Sequence, residues 1–335
     1  MEDLFLSTFS RLMQAHASPE VVRRALQAGE ADALAAQLEE SGFGNLLLPE
    51  DHGGAGLSLA QIYPLLALLG AHACPVPLAE TLVARAALQA AGLAQPAGWL
   101  TLAEGVLAEG QVAVHGLPYG RLAGTALVAV DGVLRPLALA DASARAPHLY
   151  GLDQAVRWPA ACWRAAPVAG EAVDASMWLA CLAAARLAGT MATVLDLSRE
   201  HVTQRVQFGR PLARFQAIQQ LISQQAEQMY AAQMAAMIGC QTRSWQPEAA
   251  RVAIAKATTS AAAAQVAAVG HAVHGAMGFT EEHDLQLFTR LLHRDRWLAG
   301  AESRWQEVAG GWLLSSGQPA RTLDVIRSVM ADTHS

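Results

Sequence analysis

The stretch Arg205-Val206-Gln207-Phe208-Gly209-Arg210-Pro211-Leu212-Ala213-Arg214-Phe215-Gln216-Ala217-Ile218-Gln219 separates two long apolar-periodic segments, Met177 to Val202 and Phe215 to Met237. In the second, Phe215, Ile218, Ile222, Met229 and Met237 recur at roughly helical spacing, with Gln219, Gln220, Gln224, Gln225 and Gln228 between them. That pattern predicts a long helical hairpin, two helices joined by a tight turn. No proline lies between Glu171 and Gln204, so Met177 to Gln204 is expected to form one helix running into Arg205. A guanidinium at such a turn suits a pyrophosphate, because its fork of donors matches phosphate oxygens. Phe208 and Gly209 are expected to let the turn pack closely, glycine tolerating backbone angles that other residues do not. A solvated arginine in an ordinary helix connection gives the same letters, so this segment alone leaves both readings open.

Working outward, the composition bounds the answer. A chain of 335 residues that is 53% hydrophobic and only 16% charged can bury a large core and hold two or three domains. Cys74, Cys162, Cys181 and Cys240 lie far apart with no C-x-x-C spacing, which excludes a cysteine metal site or a disulfide framework and leaves them as small buried hydrophobes. A formal net charge of −6, with no tight Lys/Arg cluster among aromatics, argues against nucleic acid. There is no run of about twenty apolar residues free of charged or polar interruption, so no membrane span is expected. Met1-Glu2-Asp3-Leu4 is acidic where a targeting signal is basic, and cytoplasmic residence is the expectation.

From Leu4 to about Gly92 the periodicity is helical. Ser18-Pro19-Glu20 reads as a helix start, serine capping and proline occupying the first turn, and Leu57 to Leu69 and Leu78 to Ala91 continue the pattern. Around Gln95-Pro96-Ala97-Gly98 the texture changes to short apolar runs: 111–115, 126–130 and 133–137. Asp131-Gly132 between the last two predicts a β-hairpin. From Glu171 onward the chain is alanine-rich and helical again. The expected organisation is an N-terminal helical domain (1–95), a reduced β domain (96–170) and a C-terminal helical bundle (171–335).

Two more segments join the first. Val273-His274-Gly275-Ala276-Met277-Gly278-Phe279-Thr280-Glu281-Glu282-His283-Asp284-Leu285 is a glycine-rich loop, and Leu46-Leu47-Leu48-Pro49-Glu50-Asp51-His52-Gly53-Gly54-Ala55-Gly56-Leu57-Ser58 leads into a helix. Together the three resemble, in order, the R-x-x-F-G-x-x-L-x-x-F-Q, Q-x-x-G-G-x-G-F-T-x-E-H and P-E-x-x-G-G-x-G patterns of the flavin-dependent acyl-CoA dehydrogenases. The resemblance spans most of the chain. It implies a mainly α fold in which the middle β domain is followed by a four-helix-type bundle that forms oligomers. It further implies FAD bound at a subunit interface, the flavin ring on the β domain of one subunit and the adenosine diphosphate half on the bundle of its neighbour. Carried over residue by residue, the cofactor contacts fall on Arg205, Gln207, Phe208, Phe215, Gln216 and Gly275. Departures are plain: Ala272 stands where the family's loop has glutamine, Ala276 replaces a loop glycine, and nothing matches the T-E-P-x-A-G-S-D strand used against the flavin ring.

The reaction implied removes the proton alpha to a thioester and passes the beta hydrogen to flavin as hydride. It needs a carboxylate within hydrogen-bond reach of that proton in a dry pocket. Counting from Gly278-Phe279 brings the family's catalytic glutamate onto Ala299, with Gly300 following, and the alternative base position of a minority of members falls on Leu179. Neither side chain accepts a proton. Of the neighbouring carboxylates, Glu302 lies three residues beyond Ala299 and is the weak alternative. Glu282 matches a structural glutamate of the loop, while Asp174 and Glu171 precede the Leu179 helix. His271 and His274 sit three apart and read as packing or capping residues, lacking a third ligand for a metal.

The 274–285 loop and Ala73-Cys74-Pro75-Val76-Pro77-Leu78-Ala79-Glu80 look most like a bacterial branch acting on sterol side chains or other bulky CoA esters. That branch includes heterotetramers in which a shortened, baseless subunit pairs with a full-length one. The resemblance therefore implies the shortened subunit, with a full-length acyl-CoA dehydrogenase subunit and an acyl-CoA substrate as partners. Two alternatives stay open: a self-sufficient homo-oligomeric dehydrogenase with an unusual base, and a non-catalytic acyl-CoA-binding or scaffold protein.

Overall fold

Ser18 accepts a hydrogen bond from the Val21 amide at 3.4 Å, so the second helix starts where the sequence supplies a cap. The computed structural model describes residues 2–315 together with Asp324 and Val329, and the rest of the expected 171–335 bundle lies outside the described residues. In chain order the helices are α1 (Glu2–His16), α2 (Pro19–Ala28), α3 (Asp32–Glu40), α4 (Leu59–Ala71) and α5 (Leu78–Ala90). Strands follow: β1 (Leu100–Glu104), β2 (Val106–Ala108), β3 (Gln111–Leu117), β4 (Thr125–Val130), β5 (Val133–Ala138), β6 (Ala144–Pro147) and β7 (Gln154–Pro159). A short α6 (Ala160–Ala165) leads to α7 (Ala175–Gln204), a two-stranded ribbon of β8 (Val206–Gln207) and β9 (Arg210–Pro211), α8 (Gln216–Gly239), α9 (Ala249–His274), α10 (Leu285–Trp297) and α11 (Glu302–Ser315). The mainly helical fold is the one the sequence implied.

By contact the chain falls into two compact units, Met1–Ile62 with Cys74–Leu182 and Tyr63–Ala73 with Ala183–Ser335. In the first, the strands form two small sheets, ordered β1-β4-β5 and β2-β3-β7-β6, antiparallel except for the β1–β4 pair. Asp131 and Gly132 both have positive φ, 49° and 79°, and Val130 pairs with Val133 across them. That is the two-residue turn whose twist matches its strands, as the Asp-Gly step predicted. Inward-facing Val112, Val114, Val128, Val130, Val156 and Trp158 make the core with Trp163 of α6. Trp158 is fully buried and its indole N–H donates to the Ala138 carbonyl at 2.8 Å, so the largest core side chain leaves no polar atom unmet. Thr81 of α5 ties the helix to β1, its hydroxyl donating to the Leu100 carbonyl and accepting the Leu100 amide, both at 3.0 Å.

In the second unit α9 packs against α8, α10 and α11. Glycine makes one helix crossing close. A Cβ on Gly189 of α7 would sit 1.8 Å from the Ala67 carbonyl oxygen, so the two backbones touch there and only glycine fits. Thr190 and Thr193 stitch the same crossing by donating to the Gly70 and Ala71 carbonyls at 3.1 and 2.8 Å. By length and composition alone, Ala175–Gln204 and Ala249–Phe279 are long and apolar enough to cross a bilayer, which the sequence reading did not anticipate. Within the protein 89% and 61% of their most apolar windows are buried, the behaviour of core helices.

Candidate functional site

Helix α7 ends where the backbone must turn. The Arg205 amide still donates to the His201 carbonyl at 2.8 Å, while the Arg205 carbonyl accepts the Leu212 amide at 2.9 Å and closes the ribbon. Gln207 pairs with Arg210, and the two residues between them, Phe208 and Gly209, have φ of 52° and 80°. The turn is therefore a tight β-hairpin set between two helices. The expectation that Phe208 helps it pack is corrected: the ring is 91% exposed and meets the Phe215 ring edge-on at a centroid separation of 6.2 Å. Its positive φ aims it off a two-residue turn, where no core is available. Phe215 itself is covered by the Arg210 guanidinium, 4.1 Å from the ring centroid. Gln216 opens α8 and is exposed, as is Arg205, whose guanidinium has no ion-pair partner among the described residues. Between the arms of the hairpin lies a cavity of about 240 Å³ lined mainly by the stems of Val202, Thr203, Ala213, Ile218 and Ile222.

Gly275 ends α9 with φ 61° and ψ −145°, a region essentially closed to side-chain-bearing residues, while the space about it is open. The residue before it ties this loop to the hairpin. His274 stacks on His201 of α7 at 4.4 Å between centroids and meets His283 edge-on at 4.9 Å. His274 Nδ1 donates to the Gly270 carbonyl at 2.7 Å, and His283 Nδ1 accepts the Leu285 amide at 3.1 Å, capping α10. Burial pushes the His274 imidazole down to about 4, and His201 is also lowered, by burial first and then by His283 and Arg205. Both rings are neutral at pH 7. Arg205 thus carries its charge near an uncharged His201 ring. His271 bonds Thr289 through Nε2 at 3.1 Å and stacks on Phe279, so it and His274 hold structure rather than face one another as a ligand pair. Sequence reading did not single out His201 or His283; the four-residue step from His201 to Arg205 was the available signal.

Ala299 sits in the bend between α10 and α11 with φ 61°, followed by Gly300 at 98°. Its carbonyl is held by the Trp305 indole N–H at 3.0 Å and by Arg304 Nη1 at 3.3 Å. The bend is set by Lys256, a wholly buried lysine of α9 whose ammonium donates to the Asp295 and Arg296 carbonyls, each at 2.8 Å, and to Ser260 Oγ at the same distance. Those are last-turn carbonyls of α10, so a side chain ends the helix in place of the next backbone amides. Asp295 is wedged between Arg186 (2.8 Å) and Arg294 (2.7 Å); burial alone raises its carboxyl, yet the two guanidiniums hold it below the usual range. Glu302 is bound by Arg296, which holds its carboxyl low. Leu179 is buried in α7. Asp174 Oδ1 accepts the Ser176 amide at 3.0 Å and caps α7, and Glu171 and Glu282 are exposed. Lys256, like His201, was missed, because a lysine inside an alanine helix looks solvated until the fold encloses it.

Residues 173–308 match the family described as acyl-CoA dehydrogenase, C-terminal domain. The chain is 30% identical over 302 residues to acyl-CoA dehydrogenase IpdE2 of Mycobacterium tuberculosis, covering 85% of this chain and 89% of that one. Against IpdE2 of Mycolicibacterium smegmatis the identity is 29% over 301 residues, with 89% and 94% covered. Among solved structures, the ChsE4-ChsE5 complex from Mycobacterium tuberculosis superposes with a TM-score of 0.80 at 20% identity, over 95% of this chain and 98% of that one.

Proposed function

The chain belongs to the acyl-CoA dehydrogenase family, and from that premise we propose that it serves FAD-dependent α,β-dehydrogenation of an acyl-CoA thioester as the baseless subunit of a heteromer with a full-length acyl-CoA dehydrogenase. One observation carries this reading: the bend that bears the family's base is kept, while the base is not. A strained alanine at φ 61°, its carbonyl pinned by Trp305 and its approach set by Lys256, preserves the bend around a methyl group. Glu302, the nearest substitute, is occupied by Arg296.

The residues of the hairpin fit the adenosine diphosphate half of FAD. Arg205 offers a guanidinium without an ion-pair partner among the described residues for the diphosphate, Gln207 and Gln216 add amide donors, and the space about Gly275 is open. The largely apolar cavity between the arms of the hairpin, lined by Val202, Ala213, Ile218 and Ile222, suits an aromatic base. When bound, FAD accepts the substrate's beta hydrogen as hydride. The ring half finds no matching strand in residues 96–170, which supports a partner that supplies it. The ChsE4-ChsE5 structure, a complex of two different chains, is consistent with that assembly, and a bulky sterol-type CoA ester is the substrate class we favour.

Co-expression with a full-length acyl-CoA dehydrogenase subunit tests the reading. The chain alone should purify colourless and inert, and the pair yellow and active. A chain that is yellow and active by itself is a self-sufficient enzyme; one that stays colourless with every such subunit is a scaffold.

A further inference from the structure

Four histidines gather where the end of α7 meets the end of α9 and the loop that follows it: His201, His271, His274 and His283. Three are committed to the fold. His271 Nε2 meets the Thr289 hydroxyl, His274 Nδ1 donates to the Gly270 carbonyl, and His283 Nδ1 accepts the Leu285 amide. His201 lays one face on the His274 ring, yet its side chain makes no hydrogen bond among the described residues. The residue is partly exposed and its ring nitrogens are not buried. A histidine that only packs hides or pairs its nitrogens; this one keeps them available to a ligand.

His201 stands one helical turn before Arg205, so the two side chains share a face of α7. His274, behind the His201 ring, immediately precedes Gly275, about which the space is open. Burial first, then His283 from the loop and Arg205 from α7, disfavour the charged form of His201. From α9 it faces His274, with His271 behind, and His293 of α10 acts on His271. Glu281, Glu282 and Asp284 flank His283 in the loop; on α7 Arg199 pairs with Asp196 and Glu200 accepts Gln204, and the one charge of α8 is Glu227. An anion between His201 and Arg205 would relieve their repulsion. A diphosphate bears a negative charge on each phosphate, and Arg205 balances one, Gln207 and Gln216 being neutral donors. Arg210, stacked on Phe215, and Arg214 keep their charge at every working pH, so a hold that varies with pH singles out a histidine.

We propose, resting on the reading that the flavin's diphosphate lies at this hairpin, that His201 is a second contact for that diphosphate and takes up a proton from solvent as the anion binds. The bond formed is from an imidazolium N–H to a phosphate oxygen. Flavin binding and proton binding then favour each other reciprocally. In the empty site His201 is neutral at pH 7, and an anion beside it favours the charged form, so its pKa rises on binding. The added hold is fully present below the empty-site value and is lost as pH rises through the higher bound one.

The test uses the flavin-loaded heteromer, co-expressed and purified whole. Flavin release on dilution is followed by fluorescence from about pH 6 to about pH 8.5, the range in which an imidazole titrates. Release should quicken as pH rises, by about tenfold or more in all, the loss expected for a charge-assisted hydrogen bond. His201→Phe keeps a ring against His274 but binds no proton, so it should release flavin at the high-pH rate throughout. His201→Gln, a smaller neutral donor, should be flat in pH as well, and circular dichroism should show both variants folded. Calorimetry of FAD binding to the stripped heteromer, in buffers of different ionisation enthalpy, should show proton uptake by the wild type near neutral pH and none by His201→Phe. A purely structural role would change the release rate without flattening its pH profile. Release independent of pH in the wild type, or a profile kept by His201→Phe, overturns the contact while the flavin reading survives. A profile kept by His201→Phe but lost in His283→Gln assigns the proton to His283 and overturns it too. If the heteromer holds no flavin at any pH, the reading of the hairpin fails and takes the role of His201 with it.

Discussion

Arg296 donates to both carboxylate oxygens of Glu302, from Nη2 to Oε1 at 2.5 Å and from Nε to Oε2 at 3.1 Å. A two-pronged guanidinium pair of this kind fixes the carboxylate in its ionised form and fills the lone pairs a base would use. Hydrogen bonding by Arg296 lowers the Glu302 pKa, so its contribution to stability is present above the unfolded carboxyl value and lost as pH falls through the lower folded one. Glu302→Gln should therefore change turnover of the assembled complex by less than about threefold, against the factor of about a hundred or more for a lost base. Each side chain is about a quarter exposed (22% and 25%), so urea unfolding should show a loss of about 1 kcal/mol or less.

Arg205→Ala should lower flavin retention of the complex by about tenfold or more, since a charge-assisted hydrogen bond contributes about 1.5–3 kcal/mol. The ratio of flavin to protein absorbance after gel filtration measures it. Helicity should be unchanged, because Arg205 is exposed and its structural bonds are made by its backbone. Full flavin occupancy in the variant would give the guanidinium another task.

Lys256 gives the fold a pH dependence with a definite sign. Burial pushes its ammonium down to about 7, from an unfolded value near 10.5. Between those values the unfolded chain binds a proton the native chain does not, so stability rises with pH at up to about 1.4 kcal/mol per unit. Tyr63, pushed up to about 12 mainly by burial, reverses the slope above its unfolded value of 10, so the window to measure is pH 7 to 10. Lys256→Met should flatten the slope there and, by stripping the Asp295 and Arg296 carbonyls of their donor, cost about 1–3 kcal/mol at pH 7.

Asp295→Ala should be worse. It leaves Arg186, 2% exposed, as a buried cation without its carboxylate, and removing one partner of a buried pair costs about 3–5 kcal/mol. Urea titration of the purified chain checks this, and a loss under about 1 kcal/mol would mean that Arg186 finds solvent or another acceptor.

The hairpin, its long first helix and the Asp131-Gly132 turn were legible because each rests on local rules: periodicity, absence of proline, and a dipeptide that tolerates two positive φ values. Arg205, Gln207, Phe208, Phe215 and Gln216 fall on one turn because they are contiguous in sequence. Lys256 and the His201–His274–His283 stack were not legible, since they join residues up to 82 positions apart and depend on which helix face meets which. The exposure of Phe208 was misread for a related reason: a large aromatic is expected inside, and only the geometry of a two-residue turn places it out.

The sharpest consequence of Ala299 and Leu179 concerns the isolated chain. Proton abstraction and hydride transfer occur together only if a carboxylate meets the alpha proton, and neither position supplies one. Leu179 is 4% exposed, and its hydrocarbon side chain has nothing to accept a proton with. The Ala299 backbone is anchored by Trp305 and Arg304 whatever its side chain, so the bend should survive Ala299→Glu, alanine already tolerating the φ of 61°. Mixed anaerobically with excess FAD and acyl-CoA, the isolated wild-type chain should bleach flavin at least about a hundredfold more slowly than the complex. In the complex, changing the partner's catalytic glutamate to glutamine should stop turnover, while Glu302→Gln should not. Bleaching by the isolated chain at the rate of the complex, abolished by Glu302→Gln with flavin still bound, would break the Arg296 pair's claim on that carboxylate and return the base to this chain.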